Sequence, residues 1–173
     1  FKESAYRLSF VTNHDENSWN GTEYERYGKA VRPFTVLAYT LAGMPLVYSG
    51  QEAGLNKRLK FFDKDSIDFS QLSEQTFIQN ILKLKKKEAA LDNIGSKPEI
   101  IYADSLNRLV YLRKSGNSEV WVQLNFGEKE SPIVWNKYPS SEMIELFSKE
   151  KKLFSNNSAQ EIKAYSYQIW IKP

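Results

Sequence analysis

Three adjacent positions, Asn13, His14 and Asp15, set a carboxamide, an imidazole and a carboxylate at the end of an apolar run. His14 is the one histidine among 173 residues. An imidazole beside a carboxylate can activate a nucleophile, bind a metal or hold a sugar. A Ser-His-Asp triad needs base and nucleophile within hydrogen-bond reach, and its usual elbow, Gly-x-Ser-x-Gly, is missing from this sequence. On an extended backbone His14 and Asp15 would also point apart. A metal centre takes several ligands, and one His with no Cys is a poor start. Glycoside hydrolysis needs paired carboxylates together with neutral donors for sugar hydroxyls, and His14 and Asp15 fit part of such a set. On residue types alone this stands as one option among several, beside a plain polar turn. A second acidic cluster, Asp63, Asp65 and Asp68, starts like a calcium loop. Ile67 and Asp68 then stand where a ligand and the required glycine belong, so a polar loop capping the next helix is the better reading.

The flanking elements decide where these groups sit. Tyr6, Leu8 and Phe10 alternate with polar neighbours, which predicts a strand over residues 5–12. Residues 13–22 are polar and turn-forming. Val31, Phe34, Val36, Leu37, Ala38 and Leu41 follow at helical spacing, with Gly43 as a C-cap. Pro33 predicts a kink or a late start, with residues 24–32 as a separate turn. Residues 44–49 are apolar on both faces, as in a strand buried on both sides. Residues 70–90 predict a helix capped by Ser70 or Ser73, with Phe77, Ile78, Ile81, Leu82, Leu84 and Leu91 along one face.

Strand, helix, strand, helix with short junctions is a parallel α/β pattern. After residues 93–98 the style changes to short alternating runs separated by turns, which predicts an antiparallel sandwich or barrel of about 75 residues. The expected boundary lies near Gly95, giving units 1–94 and 95–173. Two βα units cannot close a parallel sheet, so the first unit reads as part of a (β/α)8 barrel, a fold of about 250 residues. The opening Phe1-Lys2-Glu3-Ser4 looks like neither an initiator nor a signal peptide, and suggests a piece of something longer. In such barrels the reacting groups lie in the loops after the strands. Asn13, His14 and Asp15 occupy that position after the first strand. Tyr48, Ser49, Gly50, Gln51 and Glu52 occupy it after the second.

The bulk properties narrow the partners. The chain is 41% hydrophobic and 26% charged, which predicts a packed core. Its formal net charge of +3 comes largely from the lysines of residues 83–87, which read as a solvated helix end rather than a nucleic-acid face. With Cys absent, disulfides, zinc-thiolate sites and cysteine nucleophiles are excluded. No apolar run approaches the roughly 18 residues of a membrane span.

Two motifs are shared with a known family. Phe10, Asn13, His14 and Asp15 resemble the Phe-x-x-Asn-His-Asp motif that ends the seventh barrel strand of the alpha-amylase family of glycoside hydrolases. Gly43, Pro45, Tyr48, Gly50 and Glu52 resemble its Gly-x-Pro-x-x-Tyr-x-Gly-x-Glu eighth strand and loop, and residues 61–65 resemble the loop before the eighth helix. The resemblance implies the last two βα units of a TIM barrel followed by a C-terminal β-sandwich domain. It implies that Asp15 is the third catalytic carboxylate, which stabilises the transition state. It further implies that His14 hydrogen-bonds the sugar in the reacting subsite, with Asn13 supporting the motif in substrate binding and Glu52 structural at the rim. The family's nucleophile Asp and general-acid Glu lie on the fourth and fifth strands, and no residue here matches either. The implied parent is a hydrolase or transglycosylase acting on α-glucosidic bonds of starch or maltodextrin, exported, with calcium sites mostly upstream. No cofactor or metal is expected in this chain, and the chain alone is expected to be inactive. Self-association through the exposed partial barrel is a further expectation. The competing expectation is a non-catalytic carbohydrate-binding module with Trp19 and Trp135 as sugar platforms and Trp121 in the core.

Overall fold

The computed structural model describes residues 5–91, 96–155 and 159–173. The boundary expected near Gly95 lies outside the described residues. Strand β1 (Leu8–Ser9) and strand β2 (Met44–Pro45) pair in parallel, Leu8 with Met44 and Ser9 with Pro45. The parallel arrangement is the one the sequence predicts, but only two residues of each apolar run enter the ladder. Tyr6, Leu8, Phe10 and Met44 are exposed, so this small sheet offers apolar side chains to solvent.

The connection between β1 and β2 carries helix α1 (Glu23–Tyr27), a 3-10 turn (Gly28–Ala30) and helix α2 (Val31–Thr40). The break falls at Gly28, whose φ of +54° suits glycine, and the late start that Pro33 predicts is met at Val31, with α1 as a separate turn before it. Pro33 sits in the first turn of α2, where the backbone N–H has no intrahelical acceptor in any case. Thr22 and Glu25 form a reciprocal capping box that starts α1. Helix α2 ends at Thr40 with Leu41 as its cap, so Gly43 is not the C-cap.

Gly43 serves a closer purpose. Its φ is +131°, and an added Cβ would stand 2.6 Å from the Arg7 carbonyl oxygen and 2.8 Å from Ser9 Oγ. The Met44 amide donates to that same Arg7 oxygen at 2.7 Å, so β2 reaches β1 only because position 43 lacks a side chain. Gly43→Ala is expected to cost about 2–3 kcal/mol through the positive φ and the clash, read as a lower urea midpoint with unchanged slope.

Helix α3 (Gln75–Lys87) starts later than the sequence predicts, and no side chain caps it. The Ser73 hydroxyl instead donates to the Ala53 carbonyl at 3.4 Å. Its apolar face, Phe77, Ile78, Ile81 and Leu84, is buried as expected.

The remainder is antiparallel. Strands β3 (Glu99–Ala103), β4 (Arg108–Ser115), β5 (Ser118–Asn125), β7 (Met143–Glu145), β8 (Lys151–Lys152) and β10 (Tyr167–Ile171) form one sheet in the order β3-β4-β5-β10-β7-β8. Strands β6 (Ile133–Val134) and β9 (Ala159–Gln160) form a separate pair. A two-residue turn at Gly116 and Asn117 closes the long β4–β5 hairpin.

The period-2 alternation of β5 sends its side chains into two cores. Val120, Val122 and Leu124 join Val36, Tyr39, Ile81 and Leu91 in a cluster that ties the sheet to α2 and α3. Trp121 faces the opposite way, with Ile133, Trp135, Phe154 and Trp170. The Tyr111 hydroxyl also meets Thr40 at the end of α2. The chain is thus the closing part of a (β/α)8 barrel with an antiparallel β-sandwich packed behind its helices.

Candidate active-site loops at the strand ends

His14 begins a helical turn in the loop that follows β1, with residues 10–13 between it and the strand. The Asn13 carboxamide oxygen accepts the Glu16 amide at 2.8 Å, and the Asn13 carbonyl accepts the Asn17 amide at 2.9 Å. This local bonding is why the chain curls here instead of extending. It also overturns the expectation that His14 and Asp15 point apart. Asp15 has helical backbone angles, and its Oδ2 lies 3.5 Å from His14 Nε2, too long for a well-formed hydrogen bond. Both side chains face solvent, 66% and 59% exposed. The turn continues as a π-helix (Glu16–Asn20), a form frequent at functional sites.

The loop after β2 folds against this turn. Buried Asn17 acts as a clamp. Its amide donates to the Lys57 carbonyl at 3.1 Å, and its oxygen accepts the Leu59 amide at 2.7 Å. The Ser18 hydroxyl donates to the Leu59 carbonyl at 2.8 Å, and the Thr22 hydroxyl donates to Asn56 at 2.8 Å. The Arg58 guanidinium pairs with Glu25 at 2.8 Å. Phe61 is thereby set beside the site, its ring stacked on His14 with centroids 5.9 Å apart.

The acidic cluster is a loop fastener. Asp65 accepts from Lys57, from the Lys60 amide at 3.1 Å and from the Ser66 amide at 2.8 Å. The Lys57 bond, followed by those two amides, draws its carboxyl down to about 2. Asp68 accepts the Ser70 amide at 2.8 Å. Among the described residues, no group of three His, Asp or Glu side chains converges as metal ligands.

Behind the two loops lies a buried polar pair. Glu23 is only 4% exposed, and its carboxylate accepts from Gln51 Nε2 at 2.7 Å. The Gln51 oxygen accepts the Tyr48 amide at 2.8 Å, and the Tyr39 hydroxyl lies 3.5 Å from it. Burial is the main force that pushes the Glu23 carboxyl up to about 7, helped by the charge of Glu74 and opposed by Gln51 and Arg26. The sequence signals neither this pair nor the Asn17 clamp, because their partners lie far apart in the chain. Glu52 accepts the Gly50 amide at 3.0 Å within its own loop.

Trp135 is only 1% exposed and stacks with Trp121, Tyr138 and Phe154, so it is no sugar platform. The β6–β9 pair puts it in the second core. Trp121 is buried as expected, and Trp19 is 58% exposed.

Polar groups gathered after two parallel strands, with an antiparallel sandwich behind, are an arrangement this chain shares with solved alpha-amylase folds. Alpha-amylase MalA of Haloarcula japonica is 27% identical over 139 residues, which cover 77% of this chain and 20% of that protein. In fold, the maltogenic alpha-amylase AmyB from Thermotoga neapolitana matches 99% of this chain and 42% of its own, with a TM-score of 0.79 and 16% identity. The alpha-amylase of Geobacillus thermoleovorans, solved in complex with acarbose, matches 96% of this chain and 38% of its own, at a TM-score of 0.71 and 13% identity. The chain therefore spans about a fifth of the curated relative and about two-fifths of these solved chains. No family model matches it. The chain resembles the alpha-amylase family of glycoside hydrolases over the last barrel strands and the C-terminal β-domain.

Proposed function

We propose that this chain supplies part of the active site of a retaining glycoside hydrolase acting on α-glucosidic bonds of starch or maltodextrin. The observation that carries the reading is the His14–Asp15 pair, exposed side by side in the loop after β1 on an amylase-like fold. Cleavage of an α-glucosidic bond builds positive charge on the ring, and an Asp15 carboxylate facing it stabilises that charge. His14 donates to a hydroxyl of the sugar in the reacting subsite, and Asn13 holds the turn that presents both. The sugar's other partners, the nucleophile and the proton donor, have no match among the 173 residues. Retaining hydrolysis uses two carboxyl groups about 5–5.5 Å apart, and Asp15 alone is neither of them.

The isolated chain is therefore expected to release no maltose or glucose from maltoheptaose in a reducing-sugar assay. Turnover by the purified 173-residue chain would sink the assignment. The exposed apolar side chains on and beside β1 and β2, Leu8, Phe10 and Met44, are the surface on which further barrel strands or a second copy would pair.

A further inference from the structure

We propose that Trp19, Phe61 and Phe62 form a curved stacking ledge for glucose residues of an α-linked glucan, next to the sugar held at His14 and Asp15. The inference rests on the proposed function and adds a binding site to it. The rings form one connected patch. His14 stacks on Phe61 at 5.9 Å, Phe61 meets Phe62 at 4.8 Å, and Trp19 lies 5.2 Å from Phe61 and 6.2 Å from Phe62.

These three rings are exposed and in mutual contact, and Trp19 is the exposed tryptophan of the four. Phe62 is 85% exposed and Trp19 58%, while Trp121, Trp135 and Trp170 are buried to within 2%. The patch is also held in place. Asn17 and Ser18, adjacent to Trp19 in the chain, bond the Lys57 and Leu59 backbone that leads into Phe61. Exposed rings on a fastened backbone bind with little ordering cost.

The chemistry favours a neutral sugar. Pyranose C–H faces pack on aromatic faces, and the Asp15 carboxylate beside the patch disfavours phosphate-bearing ligands. The ring planes turn through 45° between Trp19 and Phe61 and 76° between Phe61 and Phe62, so the ledge is stepped. An α-1,4 glucan curves and can follow such steps, whereas a β-1,4 glucan is flat.

Trp19 gives a direct readout, because an aqueous quencher reaches it and not the three buried tryptophans. Maltoheptaose added to the 173-residue chain is expected to shield the fluorescence from iodide quenching, and cellohexaose is not. Phe62→Ala should weaken maltoheptaose binding about tenfold, with an unchanged thermal melt since the ring is exposed. Phe62→Tyr should bind as the parent chain does. Unchanged quenching in maltoheptaose, or Phe62→Ala and Trp19→Ala that both bind as the parent does by calorimetry, overturns the ledge. Equal binding of cellohexaose overturns the α-glucan assignment. Maltoheptaose binding that is lost in His14→Ala but indifferent to Phe62→Ala removes the ledge and leaves the proposed function standing. Shielding of Trp19 combined with an Asp15→Asn enzyme of full activity does the reverse.

Discussion

Asp15→Asn, placed in a complete barrel that carries this chain, is expected to lower kcat on maltoheptaose about 10²–10³-fold and to leave KM nearly unchanged. The substitution keeps the side chain's size and removes its charge. A neutral sugar in the ground state has little use for that charge, while a ring approaching an oxocarbenium ion does. An interaction made only in the transition state lowers kcat and kcat/KM together. The fold should be unaffected, because the carboxylate is 59% exposed and, among the described residues, no hydrogen bond of the loop runs through it. Thermal melts and single-turnover kinetics on the two proteins separate these effects. A variant with near-parental kcat would show that Asp15 faces no developing charge.

The residues that define this site were legible because their meaning is local. Asn13, His14 and Asp15 follow an apolar run directly, and the second apolar run gave the parallel partner. The features that escaped depend on distant pairings. Asn17 finds its partners 40 and 42 positions away, at Lys57 and Leu59, and no local pattern announces a clamp of that reach. Trp135 stands among turn residues, which suggested a surface ring. Its burial depends on β6 pairing with β9, Ile133 opposite Gln160, and on the second core that this layer covers. Pro33 correctly marks a late helix start, since a proline in the first turn of a helix forfeits no bond, while the positive φ of Gly28 makes the break before it. His14 and Asp15, which an extended backbone would point apart, depend like the Asn17 clamp on a bond between a side chain and the backbone. The Asn13 side chain curls the backbone, and curling brings the two groups together.

The stability of the chain is expected to fall as pH rises from about 4.5 to about 7, and Glu23→Gln is expected to abolish that part of the slope. Glu23 is raised from 4.5 to about 7, chiefly by burial. Between those values the folded protein keeps a proton that the unfolded chain has released. The folded state then binds more protons, so the unfolding free energy declines with pH across this window and levels off above it. The full decline is on the order of 3 kcal/mol at 1.36 kcal/mol per unit. Tyr24, Tyr39, Glu74, Arg26 and Arg32 also face this pocket or its charges. Tyr24 is itself pushed up to about 12 and Tyr39 higher still, so both phenols stay neutral across the window and leave the slope to the carboxyl. In Glu23→Gln the amide oxygen can still accept from Gln51 Nε2, so the loop after β2 keeps its anchor to α1 while the buried charge is gone. The variant should match the parent near pH 4.5 and exceed its urea midpoint increasingly up to pH 8. Parallel midpoint–pH curves for the two proteins would mean that Glu23 titrates as an ordinary solvated carboxyl. A uniformly lower curve for the variant would mean that the Gln51 bond, and not the burial of charge, governs the energetics behind the two loops.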